Sequence, residues 1–493
     1  MTETAVAAVG EPRMLIDGRL VEAESGRSFA NVNPATEDVI GEVTDAAAPD
    51  MERAIAAARR AFDQTTWSTD HALRRHCLEQ LHTGLAAARE ELRAALVAES
   101  GSPVALTYII QIDKPIDDLG WWAQLAGAYA YESELGESTF LGSRHRRVLR
   151  REPLGVVGAI TPWNYPLYLN LAKLAPALAS GNTVVLKPAP DTPWSATLIG
   201  RIIAETTDIP AGVVNIVTSS DHQVGEVLTG DPRVDMISFT GSTVTGRRVM
   251  ARAAQTVKKV FLELGGKSAN IVLDDADLAA TLSAAPLSVC THGGQGCAMT
   301  TRLLLPRSRY AEGVEILGEG FAHVPYGDPT DPGILQGPQI SERQRQRVLG
   351  YIDKGRAEGA TLACGGGRPT HLSRGYFVEP TLFVDVDPHS TIAREEIFGP
   401  VLAVIPFEDD DDAVRVANDS MYGLSGAVTS ASQERALAVA RRLRTGTVAV
   451  NGGMWLGVDA PFGGYKQSGV GRENGVLGFE EYLEVKTLAL PAG

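Results

Sequence analysis

The chain has 493 residues, of which 44% are hydrophobic and 21% are charged, an ordinary composition for a globular protein long enough to build more than one core. Lysine and arginine total 45 against 60 aspartates and glutamates, which gives a formal net charge of −15. Such an acidic chain argues against nucleic acid and anionic membrane surfaces as partners, because both would repel it.

Targeting signals and cysteine spacing narrow the class of protein further. The N-terminus lacks a basic region followed by an apolar run, and no stretch of about 18 apolar residues predicts a membrane-spanning helix. The cysteines are Cys77, Cys290, Cys297 and Cys364, without a CxxC pair or zinc-ligand spacing. We therefore predict no signal peptide, no membrane segment, no metal site and a cytoplasmic protein with reduced thiols.

The N-terminal part predicts short strands followed by two helices. Residues 14–43 combine short apolar runs with Gly and Asn-Pro turns, which is typical of strands. Apolar residues recur at three- and four-residue steps over 50–64 and over 73–100, so each stretch predicts one amphipathic helix. Gly101 stands where the second helix should end.

Strands and helices then alternate from Arg151 onward. The β-rich apolar runs are 153–160, 182–188, 213–217, 234–241 and 260–266, and the helical patterns between them are 171–181, 195–207 and 246–255. Near-continuous apolar strands that alternate with helices indicate a parallel sheet covered on both faces. A second series begins after residues 263–273 and runs to about Val450, so we predict two α/β domains. The acidic run at 407–419 suits a solvated helix N-terminus.

Cys297 is the first candidate for chemistry. A cysteine is more often an inert buried side chain than a nucleophile. Here Gly293, Gly294 and Gly296 remove side chains near the sulfur and free backbone N–H groups to point at a ligand, a layout that favours covalent catalysis. Cys77 lies in a helical pattern and Cys364 in a predicted turn, and we interpret both as structural.

Two polar residues stand at the ends of predicted strands. Glu263 is either a solvated carboxylate or, if apolar surroundings raise its pKa, a general base. Asn164 lies between Trp163 and Tyr165, where it is either a turn-forming residue or a hydrogen-bond donor to an oxyanion.

Two further segments suggest a cofactor. Lys187 directly follows a buried strand, at the edge where α/β sheets bind ligands. Gly241, Ser242 and Gly246 lie at a strand-to-helix turn that resembles a dinucleotide phosphate loop, although the spacing is not GxGxxG, so this signal alone is weak.

Together these segments resemble the NAD(P)-dependent aldehyde dehydrogenase superfamily over residues 15–490. Seven motifs occur in the order found in that family. They are TPWNYP, GNTVVLKP, FTGSTVTG, LELGGKS, GGQGCAMTTR, EEIFGPV and PFGGYKQSGVGRENG.

The resemblance implies a mechanism in which Cys297 attacks an aldehyde carbon. The oxyanion of the resulting thiohemiacetal would be held by the Asn164 amide and the Cys297 backbone N–H. Hydride would then leave for the nicotinamide to give a thioester, and Glu263 would activate the water that releases the carboxylic acid. Lys173 matches a lysine that relays protons near that glutamate.

For the cofactor, the resemblance assigns Lys187 to the adenosine ribose, Ser242 to the pyrophosphate and Glu396 to the nicotinamide ribose. The other implied cofactor-binding residues are Trp163, Phe398, Gly241, Gly246 and Leu264. Many NAD-preferring members carry Glu three residues after the lysine, and this chain has Pro190 there. We therefore predict NAD and keep NADP open.

The fold class implied is α/β, with two doubly wound parallel-sheet domains and a β-hairpin oligomerisation arm. The variant Rossmann cofactor domain would comprise residues 1–130 and 150–264, and the catalytic domain residues 265–455. The arm would comprise 131–149 and 479–493, with 456–478 returning to the active site. Because such arms pair subunits in the family, a homodimer or homotetramer is implied.

The substrate funnel implied by motif position is uncharged, which favours an apolar or aromatic aldehyde over a semialdehyde that carries a carboxylate. Its residues are Tyr165, Leu169, Thr291, Met454, Leu456 and Phe462, with a small Ala172 where larger side chains often narrow the entrance. His292 replaces the asparagine usually found five residues before the nucleophile, and we interpret it as a structural substitution in the loop.

Three alternative functions stay open at this point. The first is a coenzyme A-acylating aldehyde dehydrogenase, against which Glu263 argues. The second is a Cys–His hydrolase that uses Cys297 with His292 and needs no nicotinamide. The third is a catalytically silent binding or structural protein on the same fold, against which the complete set of Cys297, Glu263 and Asn164 argues.

Overall fold

A computed structural model describes residues 10–492. Residues 1–9, where the sequence predicts no signal peptide, and Gly493, at the end of the predicted arm, lie outside the described residues. The strands are β1 Met14–Ile16, β2 Arg19–Val21, β3 Ser28–Val32, β4 Val39–Thr44, β5 Glu132–Phe140, β6 Ser143–Pro153, β7 Val156–Ile160, β8 Thr183–Lys187, β9 Val214–Ile216, β10 Met236–Thr240, β11 Lys259–Glu263, β12 Ala269–Val272, β13 Arg302–Pro306, β14 Thr361–Cys364, β15 Thr381–Val384, β16 Val401–Phe407, β17 Gly426–Thr429, β18 Ala449–Val450, β19 Gly469–Val470 and β20 Leu483–Pro491.

The helices alternate with these strands along most of the chain. They are α1 Ala48–Gln64, α2 His71–Ala87, α3 Arg89–Ser100, α4 Val104–Leu106, α5 Asp113–Ala128, α6 Pro166–Ser180, α7 Trp194–Thr206, α8 Gln223–Gly230, α9 Thr243–Ala253, α10 Leu278–Leu282, α11 Ala285–Cys290, α12 Tyr310–Ala322, α13 Glu342–Ala357, α14 Thr391–Arg394, α15 Asp410–Asn418, α16 Gln433–Ala440 and α17 Gly475–Glu480. A π-helical turn at Thr107–Gln111 precedes α5, and short 3₁₀ turns include Thr291–Gly294.

The first sheet has eight strands in the order β19-β11-β10-β7-β8-β9-β1-β2. Its five central strands run parallel, whereas β1, β2 and β19 are antiparallel additions at the edges. Alternate residues of β7 and β8 pack into two separate cores, one on each face of the sheet. Burial on both faces explains why these strands read as continuous apolar runs.

The second sheet has seven strands in the order β14-β15-β16-β13-β12-β17-β18. Its strands are parallel except for β14, which pairs antiparallel with β15, and two further cores cover its faces. The predicted α/β class with two doubly wound sheets is confirmed, although both sheets carry antiparallel edge strands and are therefore mixed.

The third sheet contains β5, β6 and β20, with the hairpin β5–β6 joined by the C-terminal strand. Its strands lie within residues 132–153 and 483–491. These ranges overlap the predicted arm at 131–149 and 479–493, and β6 extends beyond it to residue 153. Residues 479 and 480 belong instead to the end of α17.

Helix prediction was right for the stretches at 50–64 and 407–419 and wrong for the single helix over 73–100. The acidic run begins α15, where the carboxylate of Asp409 accepts a hydrogen bond from the Asp412 N–H. The 73–100 stretch is divided at Ala88, which ends α2 and precedes α3. Gly101 ends α3 in a left-handed conformation, as predicted. Cys364, predicted in a turn, is the last residue of β14.

Within residues 10–492, no helix has the length and apolar character needed to span a membrane. The same residues include no grouping of three or more His, Cys, Asp or Glu side chains suited to holding a metal ion.

Candidate active site

A cavity of about 1820 Å³ lies at the carboxyl ends of four neighbouring strands of the first sheet. The segments that follow β7, β8, β10 and β11 line it on one side. The segments that lead into β13 and β16 of the second sheet line it on the other. Since β7 and β10 are adjacent and their connections run to opposite sides, the cavity occupies a topological switch point, where open α/β sheets bind ligands.

Most of the residues predicted from the sequence meet in this cavity. Those that line it are Cys297, Glu263, Asn164, Lys187, Gly241, Ser242, Trp163, Leu264, Glu396 and Phe398, together with the funnel residues Tyr165, Leu169, Thr291, Met454, Leu456 and Phe462. Lys173, Gly246 and Ala172 are not among the lining residues.

Cys297 is held at the cavity wall by a sharply turning loop. His292, Gly293 and Gly294 all have left-handed backbones, with φ of 52°, 65° and 74°. A β-carbon on Gly294 would overlap the backbone of Gly399, and one on Gly266 would overlap the Cys297 carbonyl. The first two glycines of the motif therefore serve the turn and the close packing of the loop rather than access to the sulfur, while Gly296 does line the cavity.

The environment of Cys297 favours the neutral thiol. Burial raises its pKa well above the ordinary value, and the carboxylates of Glu263, Glu396 and Glu473 raise it further. The backbone N–H of Cys297 itself partly opposes this shift. The sequence argument for an exposed thiolate thus needs correction, because a pKa raised above the ordinary value favours a protonated thiol at neutral pH.

This raised pKa predicts slow alkylation of Cys297. We expect iodoacetamide to inactivate the cofactor-free enzyme slowly at about pH 7, at a rate that still rises above about pH 9, since only the thiolate reacts. The inactivation rate constant measured against pH, with the labelled peptide identified by mass spectrometry, checks this. Cys297→Ala provides the blank, and a rate that levels off below about pH 8 would contradict the assignment.

The Asn164 side chain is oriented by the nucleophile loop. Its Nδ2 donates one hydrogen bond to the Gln295 carbonyl at 2.9 Å. A primary amide carries two N–H donors, so the second remains available to an acceptor in the cavity.

His292 does not form a dyad with Cys297. Its ring is buried, and its Nε2 lies 2.7 Å from the Asn164 carbonyl. Its Nδ1 has no hydrogen-bond partner among the described residues. Burial lowers the pKa of His292 to about 4, so it is neutral near pH 7. The structure therefore gives no support to the Cys–His hydrolase.

Glu263 ends β11 and is buried, with 1% of its side chain exposed, which rules out the solvated carboxylate considered above. Neither of its carboxylate oxygens has a hydrogen-bond partner within the described part of the chain. Burial raises its pKa well above the ordinary value and the nearby Glu473 adds to this, while Lys173 and Arg472 oppose it. A carboxylate with a raised pKa in a cavity suits a general base near neutral pH.

Lys173 lies behind the cavity wall and forms a buried ion pair with Glu473, 300 residues away in sequence. Its ammonium also lies over the Phe261 ring, 4.4 Å from the centroid. Glu473 lines the cavity, so Lys173 reaches the site through this carboxylate rather than by direct contact. We therefore describe Lys173 as a positioning residue.

Breaking this pair should destabilise the protein. Lys173→Met leaves the Glu473 carboxylate buried without its cation, which costs about 3–5 kcal/mol and should lower the melting temperature. The double variant Lys173→Met/Glu473→Gln removes both charges and should recover most of the loss. Thermal unfolding of the three proteins checks this, and a single variant that melts like the wild type would contradict it.

The opposite end of the cavity contains the residues predicted to hold a dinucleotide. Ser242 caps α9 by accepting a hydrogen bond from the Thr245 N–H at 3.3 Å. The first-turn residues Thr243 and Val244 also line the cavity, and their backbone N–H groups have no partner within the helix. The Lys187 ammonium is buried and donates to the Ser219 carbonyl at 3.3 Å, and burial lowers its pKa to about 8.

The carboxylate of Glu396 accepts a hydrogen bond from the Gly266 N–H at 2.9 Å, and burial raises its pKa to about 7. A β-carbon on Gly265 would overlap this carboxylate, so a larger residue there would displace the end of the Glu396 side chain. Phe398 has a left-handed backbone, with φ of 62°, and its ring meets that of Trp163 edge-on at 5.4 Å.

Gly246 has a different place from the one predicted. A β-carbon on it would overlap the Leu264 side chain, so Gly246 lets α9 pack against the segment after β11, while Leu264 faces the cavity. The prediction grouped Gly246 with the phosphate-binding turn because sequence spacing does not distinguish a packing glycine from one that approaches a ligand.

Sequence reasoning missed several residues of the site. Glu473 is the only acidic residue of the motif PFGGYKQSGVGRENG, and this could have identified it. Tyr168 and Trp455 also line the cavity, and the Trp455 ring stacks on Phe462 at 5.2 Å with an interplanar angle of 8°. Each neighbours a predicted funnel residue in sequence, but no spacing rule marks it.

Comparison with known proteins agrees with this geometry. The model of the "Aldehyde dehydrogenase family" matches residues 20–488. The 3-succinoylsemialdehyde-pyridine dehydrogenase of a Pseudomonas species is 46% identical over 477 residues, 96% of this chain and 97% of that protein.

Two solved structures share the fold over nearly the whole chain. A mutant of Pseudomonas syringae aldehyde dehydrogenase C, solved with NAD⁺ and octanal, is 40% identical with a TM-score of 0.91, over 97% of this chain and 96% of that one. Staphylococcus aureus betaine aldehyde dehydrogenase, solved with NAD⁺, is 36% identical with a TM-score of 0.95, over 99% of this chain and 97% of that one. With these matches and its cysteine, glutamate and asparagine in one cavity, the chain belongs to the aldehyde dehydrogenase family.

Proposed function

We propose that this NAD-dependent aldehyde dehydrogenase converts an aldehyde bearing an apolar or aromatic group to the carboxylic acid. The observation that carries the proposal is the meeting of Cys297, Asn164 and Glu263 in the cavity that also contains Lys187, Ser242 and Glu396. A nucleophile, an oxyanion donor and a base thus share one space with residues suited to a dinucleotide.

The chain's own groups account for the order of the reaction. The Cys297 sulfur bonds to the aldehyde carbon as its thiol proton leaves to a base, and the carbonyl oxygen becomes an oxyanion held by the Asn164 amide. The nicotinamide of bound NAD⁺ supplies the acceptor for the hydride. Loss of hydride from the tetrahedral carbon leaves a thioester on Cys297. A water molecule then attacks the thioester carbon while Glu263 takes a proton from that water. The carbon–sulfur bond breaks, and the acid is released.

The cofactor end fits a dinucleotide in shape and in hydrogen-bonding groups. The first turn of α9 offers N–H groups for the pyrophosphate. Lys187 is buried and Glu396 is half-buried, and both have capacity for ribose hydroxyls, while Gly265 adds no side chain to the crevice that they line. Both structural neighbours were solved with NAD⁺.

The substrate end is aromatic and contains no cation. Tyr165, Tyr168, Trp455 and Phe462 line it, whereas the lysine and arginines of the cavity wall, Lys187, Arg343 and Arg347, belong to the segments around the cofactor end. An aromatic wall stabilises apolar or aromatic groups, and among the described lining residues no lysine or arginine lies beside these rings to pair with a substrate carboxylate. The relatives named for octanal and for a pyridine-bearing semialdehyde are consistent with this class.

Initial rates of NADH formation with hexanal, benzaldehyde and succinic semialdehyde test the proposal. We expect kcat/KM to be highest for the first two, and acid to form without added coenzyme A. A preference for succinic semialdehyde would overturn the substrate class, and a requirement for coenzyme A would favour the acylating alternative.

The cofactor preference is tested at Pro190, which lines the cavity. We expect kcat/KM to be higher with NAD than with NADP. Pro190→Glu should widen this preference, because a carboxylate can accept bonds from ribose hydroxyls and repels a 2′-phosphate. Equal use of both cofactors by the wild type would overturn the choice of NAD.

We also propose a homo-oligomer joined through the arm and a cytoplasmic location. β20 is an edge strand of the arm sheet, and Phe140 and Leu141 at the hairpin tip are 69% and 89% exposed. An unpaired edge with exposed apolar side chains favours association. The four unpaired cysteines suit a reducing compartment. Sedimentation analysis of the chain and of a Phe140→Ser/Leu141→Ser variant tests the assembly, and a monomeric wild type would contradict it.

A further inference from the structure

Two buried side chains converge on the main-chain carbonyl of Asn164. His292 Nε2 lies 2.7 Å from this oxygen, and Gln111 Nε2 donates to it at 3.0 Å. Both side chains are fully buried. Meanwhile the Asn164 side chain donates to Gln295. Asn164, which should hold the oxyanion, is therefore restrained by hydrogen bonds at both its main chain and its side chain.

The chemistry of the carbonyl decides the protonation of His292. A carbonyl oxygen only accepts hydrogen bonds, so Nε2 carries a proton. Because burial lowers the pKa of His292 to about 4, the ring is neutral near pH 7 and Nδ1 carries none. His292 is thus a fixed donor directed at Asn164, and no described hydrogen bond joins it to Cys297.

The backbone of His292 is itself held in an uncommon conformation. Its φ of 52° lies in the left-handed region, which a residue with a β-carbon seldom adopts. The His292 N–H donates to the Leu335 carbonyl at 2.9 Å, and the His292 carbonyl accepts from Gln295 Nε2 at 2.9 Å. Residues held in sparsely populated backbone conformations cluster at active sites and ligand clamps, although histidine adopts the left-handed region more readily than most residues.

Gln111 reaches the same oxygen from a different element. It ends the π-helical turn Thr107–Gln111, an irregularity that often occurs at functional sites. Asn164 lies in the irregular segment between β7 and α6, where no ladder or helix hydrogen bond restrains the peptide. Two donors from separate elements supply the restraint that secondary structure does not.

We propose that His292 and Gln111 are positioning residues that hold the Asn164 peptide so that its amide meets the oxyanion. The proposal rests on the proposed function, because it needs an oxyanion at Cys297. It gives His292, which departs from the family's usual asparagine, a role in the rate of acylation. A displacement of about 1 Å in such a group costs on the order of 100-fold in rate.

A double-mutant cycle on the full enzyme tests this. His292→Phe keeps the ring that packs edge-on against Tyr165 but removes the donor, and Gln111→Met does the same at the other position. The readout is the single-turnover rate constant of NADH formation, alongside the Kd of NAD⁺ from fluorescence quenching. We expect each variant to lose about 10- to 100-fold in the rate constant with an unchanged Kd.

Two controls separate positioning from a general structural effect. His292→Gln retains an N–H donor and should restore most of the rate. In an Asn164→Ala background, itself about 10²- to 10³-fold slower, neither His292→Phe nor Gln111→Met should slow the reaction further. If His292→Phe does not fold, Gln111→Met carries the test alone.

An undiminished rate in the single variants, or an equal loss in the Asn164→Ala background, would overturn the inference. Neither outcome would affect the proposed function, provided that the wild type forms NADH from aldehydes. A wild type that forms none would overturn the proposed function instead.

Discussion

Replacing Cys297 with alanine is expected to abolish aldehyde oxidation, with kcat/KM reduced on the order of 10⁴-fold or more. The reason is that hydride leaves readily only from a tetrahedral carbon that bears an oxyanion, and without the sulfur no such carbon forms. The burst of NADH should vanish together with the steady state, because the loss occurs before the redox step.

The measurement is NADH absorbance with the aldehyde panel, together with the Kd of NAD⁺ to show that the cofactor site is intact. Cys364→Ala is the matched control, since this cysteine ends β14 outside the cavity and should leave the rate unchanged. Aldehyde-dependent NADH formation by Cys297→Ala at more than a few per cent of the wild-type rate would contradict covalent catalysis at this sulfur.

Glu263→Gln should separate the two halves of the reaction. The amide keeps the shape of the side chain but cannot accept a proton from water, so the thioester should accumulate. We expect a burst of about one NADH per active site at a rate close to the wild type, followed by a steady state about 10²- to 10⁴-fold slower. Stopped-flow absorbance, with trapping of the acylated protein for mass spectrometry, distinguishes the two phases.

The pH profile gives an independent check on the same residue. The pKa of Glu263 is raised above the ordinary glutamate value, so the basic form is lost at a higher pH than for a solvated carboxylate. The steady-state rate should therefore fall, as the pH decreases, well above the ordinary range near 4.3. Glu263→Gln should lack this acid limb.

Glu395→Gln serves as the matched control for Glu263. This neighbour of Glu396 accepts a hydrogen bond from the Tyr351 hydroxyl at 2.7 Å and does not line the cavity, so both phases should resemble the wild type. If Glu263→Gln slowed the burst as strongly as the steady state, Glu263 would act on the thiol rather than on the water.

The positions of the strands were predictable because each strand has a recognisable local sequence pattern. Strands of the two sheets are buried on both faces, and such burial requires continuous apolar runs that stand out between helical patterns. The motifs were predictable for a similar reason, since each is a short contiguous segment at a strand end.

The break between α2 and α3 illustrates what local pattern does not contain. Ala88, where the chain leaves the helix, has the highest helix propensity of all residues, so no stop signal marks it. Packing against the rest of the domain overrides propensity there. Gly246 gives a second example. The need for glycine at this position comes from the Leu264 side chain that packs against it, and local spacing does not show this contact.

The sequence by itself determined the family and the α/β class, and it predicted the nucleophile, base and oxyanion donor that we propose, because each is encoded in a contiguous motif. Only the tertiary structure decided that the resting thiol is protonated, that Lys173 pairs with Glu473 and that His292 donates to Asn164. These properties come from burial and from pairs of residues more than 100 positions apart. Protonation and hydrogen-bond partners depend on the distances between such groups, which a linear pattern does not encode.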